Sequence, residues 1–155
     1  MSTSIKDQLK AALTVAMKSR NEVELSSIRQ ALGALSVAET AGAEAVVLDE
    51  AATIEVLAIE IRKHHESADA FEVAGRPERV AAERAEAAVL EAYLPAALSN
   101  DELAALIADH IRVAAIDGAT GMKAMGRVVS AVRVAAGPTA DGAQIAALVK
   151  AALSA

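Results

Sequence analysis

Apolar residues recur along this chain at spacings of three and four and nowhere alternate, a pattern that predicts helices throughout and no strand. Ile5, Leu9, Leu13, Ala16 and Met17 form one stripe with Lys6, Lys10 and Lys18 off it, so the first helix is predicted over residues 4–19 behind a Ser4 cap. Asn21 and Glu24 have the spacing of a capping box, and Leu25, Ile28, Leu32 and Leu35 follow it. That second helix should reach Thr40 and stop near Gly42. Residues 41–48 read as a connection, with Asp49 placed to cap a long third helix whose stripe is Ile54, Leu57, Ile61, His64, Ala68 and Phe71. Gly75 suits a left-handed stop and Pro77 the first turn of a fourth helix, which Val80, Ala87, Leu90 and Leu94 carry onward.

The pattern breaks once, in residues 86–102, EAAVLEAYLPAALSNDE. Pro95 has no N–H to donate and disfavours helical dihedrals at Leu94, while Ser99 and Glu102 form a second capping-box pattern ahead of Leu103, Leu106 and Ile107. Tyr93, Leu94 and Pro95 are therefore read as an interdomain joint, with the Tyr93 hydroxyl hydrogen-bonded across two bodies. Beyond it a helix carries Leu103, Leu106, Ile107, Ile111 and Ala114, and a turn contains Asp117, Gly118 and Gly121. A further helix has Met122, Met125, Val129 and Val132 as its stripe, and a last one opens at Asp141 with Gln144 as its capping partner. The predicted fold is all-α: a four-helix N-terminal bundle over residues 1–94, followed by a small three-helix C-terminal domain over residues 95–155.

Composition changes this picture little. The 54% hydrophobic content includes 40 alanines, and no apolar run approaches the roughly 18–20 residues of a membrane span. The first ten residues, MSTSIKDQLK, lack the apolar segment of a signal peptide, so a soluble, cytoplasmic protein with no membrane partner is expected. Without cysteine there are no disulfides, thiolate metal sites or cysteine nucleophiles. Charge matters more: residues 1–94 hold 10 Lys/Arg against 16 Asp/Glu, whereas residues 95–155 hold five of each. Residues 118–155 carry Lys123, Arg127, Arg133 and Lys150 against Asp141 alone. A chain of net charge −6 is a poor general ligand for nucleic acid, so any such contact must be local.

Candidate chemistry is sparse. Lys123 and Arg127 share a helix face behind Gly121, and Gly142 opens the last helix; both turns could present free N–H groups to a phosphate, with Lys150 adding charge. Gly126, inside a helix, reads as a position of close helix contact. His64 and His65 diverge by about 100 degrees on a helix, so they cannot share a metal, although Glu60 and Asp69 lie one turn away. His64 is expected at the edge of its stripe and His65 in solvent, and His110 beside Asp109 lacks a nucleophile pattern. No catalytic residue, metal or cofactor is expected.

The run from Glu60 to Pro95, with Glu66-Ser67, Phe71, Ala74-Gly75-Arg76, Ala85-Glu86 and Leu90-Glu91-Ala92-Tyr93-Leu94-Pro95, resembles the GatB/YqeY-domain family. Met122-Lys123-Ala124-Met125-Gly126-Arg127-Val128 and Ala140-Asp141-Gly142 are similar to two further segments of that family, in the same order. The resemblance implies a stand-alone helical protein similar to the C-terminal tail of the B subunit of glutamine-dependent aminoacyl-tRNA amidotransferases. Those enzymes are carbon–nitrogen ligases with glutamine as amido donor, and the tail holds tRNA while catalysis occurs elsewhere. The implied function is a non-catalytic tRNA-binding module, with tRNA or a tRNA-processing complex as partner and Lys123, Arg127, Gly121, Gly142 and Lys150 as contact residues. The alternative is a helical adaptor that binds a protein partner and no RNA.

Overall fold

The computed structural model describes residues 3–155. They form seven α-helices and one 3-10 turn, with no strand among the described residues: α1 Ile5–Ser19, α2 Glu22–Thr40, α3 Glu50–Val73, α4 Pro77–Glu91, α5 Asn100–Ile116, the 3-10 turn Gly121–Ala124, α6 Met125–Ala136 and α7 Gly142–Leu153. The all-α class follows the sequence period. Contacts gather the chain into two compact units, Met1–Leu94 and Pro95–Ala155. No helix among the described residues is long and apolar enough to cross a membrane.

In the first unit, side chains cap the starts of three helices. Ser4 accepts from the Asp7 N–H, Asn21 from Glu24 and Asp49 from Ala52, each satisfying a donor that the first turn leaves free. Pro77 sits in the first turn of α4. The α3 and α4 helices pack along each other, α2 packs on both, and α1 lies mainly on α2. Ile5, Leu9, Ile28, Ala31, Leu35, Leu57 and Leu90 form the core. A polar contact crosses it: the fully buried Ser27 hydroxyl donates to the Glu86 carbonyl oxygen at 2.7 Å.

The α4 helix ends at Glu91, three residues short of the predicted Leu94. The Tyr93 N–H turns back to the Leu90 carbonyl at 3.0 Å and the Leu94 N–H to that of Glu91 at 3.2 Å, so the chain tightens to a shorter repeat before Pro95.

The second unit starts with the full reciprocal cap that its sequence predicts. Ser99 Oγ accepts the Glu102 N–H at 3.2 Å, and the Glu102 carboxylate accepts the Ser99 N–H at 2.8 Å. Those bonds hold the Glu102 carboxyl below its usual range. Leu103, Ile107, Ala114, Ala124, Val128, Val132, Ile145 and Val149 form the core.

Two local expectations need correction here. The helix predicted from Met122 begins at Met125, because Gly121 to Ala124 wind as a 3-10 turn, and the buried face becomes Ala124, Val128 and Val132 while Met122 is exposed. At the last helix Asp141 caps Ala143 and Gln144, but the Gln144 amide donates to Asn100 Oδ1 at 3.1 Å and does not return to the cap.

A third correction concerns Gly126. A Cβ there, or at Gly33 in α2, meets nothing within 4 Å, so neither glycine serves a close helix contact. Gly33→Ala and Gly126→Ala should each stabilise the protein by about 0.5–1 kcal/mol, with the larger effect at the mid-helix Gly33. Thermal unfolding of the two variants checks this.

Candidate nucleic-acid interface

Chain direction sorts the basic residues of the second unit into two groups. Gly121 opens the 3-10 turn at φ +58, a left-handed conformation that favours glycine. Lys123 lies in that turn and Arg127 follows one helical turn later at the start of α6. Lys150 lies in the last turn of α7, and the Ser154 hydroxyl just beyond it reaches Met122 Sδ at 3.8 Å. The end of α7 therefore meets the 3-10 turn, and Lys123, Arg127 and Lys150, all exposed, belong to the same end of the unit.

Gly142 stands at the opposite end of α7, about 12 Å along the axis from Lys150. Its turn is already occupied. Asp141 Oδ1 accepts the Ala143 N–H at 2.8 Å and the Gln144 N–H at 3.4 Å, so these first-turn donors are already taken by the helix's own cap. A Cβ on Gly142 would stand 3.3 Å from the guanidinium of Arg133, whose approach the missing side chain permits. The five expected contact residues thus divide, with Gly121, Lys123, Arg127 and Lys150 at one end and Gly142 at the other.

Arg127 has a partner in the turn before it: its guanidinium is ion-paired with Asp117, both side chains being about half exposed. His110 has no matching arrangement. Its neighbour Asp109 binds Arg112 at 2.6 Å, and that bond chiefly holds the Asp109 carboxyl below its usual range.

His64 is paired across helices, not along its own. Its Nδ1 lies 2.8 Å from Glu83 Oε2 and its Nε2 3.8 Å from Glu86 Oε2, with the residue 6% exposed. The expected neighbour Glu60 instead holds Lys63 at 2.6 Å. His65, half exposed, meets Glu91 at 2.7 Å. No group of three metal-ligating side chains occurs among the described residues. The missed signal was Glu83, which continues the series Val80, Ala87, Leu90 at three-four-three spacing and so faces the stripe that contains His64.

Tyr93 and Leu94 pack against the core of the first unit. Burial of the ring and the nearby Glu24 carboxylate push the Tyr93 phenol up from its ordinary value.

The described residues form an all-α protein with Lys123, Arg127 and Lys150 exposed at one end of its second unit. Residues 6–153 match the family described as Yqey-like protein, and the chain belongs to that family. No curated protein matches it.

With one tyrosine in the chain, phenolate absorbance reports Tyr93 alone. Its titration should be displaced to the alkaline side of a free tyrosine, and Glu24→Gln should return it part of the way. Because the folded state disfavours the phenolate, the associated stability is present below the unfolded pKa and is lost as pH rises through the folded one. An absorbance titration of the folded protein against its urea-unfolded form checks both statements.

Proposed function

We propose that this protein is a non-catalytic RNA-binding module that engages tRNA phosphates through Lys123, Arg127 and Lys150. The observation that supports this most is their convergence at one end of the second unit of a chain whose net charge is −6. Membership of the Yqey-like family accords with an accessory role beside glutamine-dependent tRNA amidotransferases, in the cytoplasm and without a catalytic centre of its own. In this reading residues 1–94 are a four-helix bundle, residues 95–155 a three-helix RNA-contacting domain, and Tyr93-Leu94-Pro95 the joint.

Lysine and arginine bind phosphate by releasing condensed counterions, so affinity falls with the logarithm of salt concentration. Three phosphate contacts predict a loss of about 20- to 40-fold between 50 and 200 mM salt. Asp117 competes with phosphate for Arg127, and Asp117→Asn should strengthen binding.

A second reading, as a protein-binding adaptor, draws on Ile116 and Val134, whose side chains are 73% and 84% exposed. Fluorescence anisotropy with unfractionated tRNA at 50–200 mM salt separates the two. The expected result is salt-dependent binding that the Lys123→Ala/Arg127→Ala/Lys150→Ala variant abolishes and Asp117→Asn enhances. No binding at 50 mM salt, or binding that the triple variant retains, would overturn the RNA reading.

A further inference from the structure

The His64 site in the first unit has no part in that reading. His64 is the one buried side chain among the described residues with an unpaired nitrogen: Nε2 has no hydrogen-bond partner. Glu83 Oε2, 2.8 Å from Nδ1, is an acceptor and requires the proton of a neutral imidazole to sit on Nδ1. Nε2 then carries a bare lone pair facing the Glu86 carboxylate oxygen at 3.8 Å, one acceptor against another.

The neighbouring polar groups whose hydrogen bonds are defined are committed elsewhere. From α2, the Gln30 amide donates to Glu86 Oε2 at 3.2 Å and the Ser27 hydroxyl to the Glu86 carbonyl, so both hold Glu86 in place without reaching His64. On α3 itself, Glu60 is occupied by Lys63 and His65 by Glu91. The α1 helix meets α3 through the Ile5 N–H and the Glu50 carboxylate, about 21 Å along α3 from His64.

We propose that His64 is a proton-operated clasp: neutral, it ties α3 to Glu83 alone, and protonated, it gains an Nε2–H donor toward Glu86 and ties α3 to two successive turns of α4. Protonation turns a facing pair of acceptors into a charge-assisted hydrogen bond and leaves the Glu83 bond in place. Gln30 and Ser27 relay the closure to α2, because they hold the same glutamate. The first unit therefore tightens when His64 takes up a proton.

Glu86→Gln tests this directly. His64 Nε2 and Gln30 face the same oxygen, Glu86 Oε2, so a glutamine with its amide nitrogen in that place presents one N–H to Nε2 and the other to the Gln30 side-chain oxygen once the Gln30 amide turns over, supplying without a proton the donor that the wild type lacks. Thermal midpoints of the full chain should rise by about 4 °C from pH 8 to pH 5.5 in the wild type. In Glu86→Gln that rise should disappear, with the midpoint at pH 8 at or above the wild-type value. His65→Gln, at the exposed pair, should keep the wild-type dependence.

Imidazole nitrogen resonances give a second readout. At pH 8 His64 should be the Nδ1–H tautomer, and at pH 5.5 an exchange-protected Nε2–H signal should appear. A wild-type pH dependence retained in Glu86→Gln, or an Nε2–H tautomer at pH 8, would overturn the proposal.

Discussion

The contact on which the first unit depends is small: the Ser27 hydroxyl on the main-chain carbonyl of Glu86. A side chain as short as serine reaches a neighbouring helix backbone only if the two helices approach closely. The flanking residues allow that approach, since Ala31, one turn beyond Ser27, and Ala87, next to Glu86, are both fully buried. A chain with 40 alanines, one Phe and one Tyr has little apolar bulk to spend on a thick core. It gains burial by bringing thin helix faces together, with Leu9, Ile28, Leu35, Leu57 and Leu90 filling what remains. In such a core a buried polar group must be matched, because no nearby space admits an alternative partner.

That constraint explains why helix positions were legible in the sequence and the polar seam was not. Periodicity identified seven helices, and caps at Ser4, Asn21, Asp49, Ser99 and Asp141 start the helices that follow them. Periodicity along one helix says nothing of which residue on another helix stands opposite. Along its own helix the neighbour of His64 is Glu60, whereas its partners lie nineteen and twenty-two residues away on α4. A polar residue in each of two apolar stripes was the available signal: His64 among Leu57, Ile61 and Ala68, and Glu83 among Val80, Ala87 and Leu90. Two such interruptions in one small core point at each other, since a buried charge without a partner is costly.

The second unit failed to be legible for a different reason. Its α6 stripe was read from Met122 in steps of a regular helix, but Gly121 enters with positive φ and the next residues wind at three per turn. A tighter turn advances each side chain by about 20 degrees more per residue than an α-helix does. That rotation brings Ala124 into line with the buried Val128 and Val132 and leaves Met122 exposed, while Met125 and Val129 are partly buried beside them. Glycine identity alone did not reveal this, because Gly126 and Gly33 occupy ordinary helical positions and Gly121 does not.

The same unit shows how a segment with five cations and five carboxylates can still present a cationic end. Its carboxylates are largely committed to structure. Glu102 closes the Ser99 cap, Asp109 holds Arg112, Asp117 holds Arg127 and Asp141 caps α7. Each serves a helix terminus or a neighbouring guanidinium, and its field is largely spent there. Lys123 and Lys150 take no part in such pairs among the described residues, and they lie on the 3-10 turn and the end of α7, two elements that touch. Net charge therefore misdescribes this surface: what a phosphate meets depends on which charges the fold has already used. Of the three cations at that end, only Arg127 already has a carboxylate partner, Asp117, so its charge alone is matched within the unit.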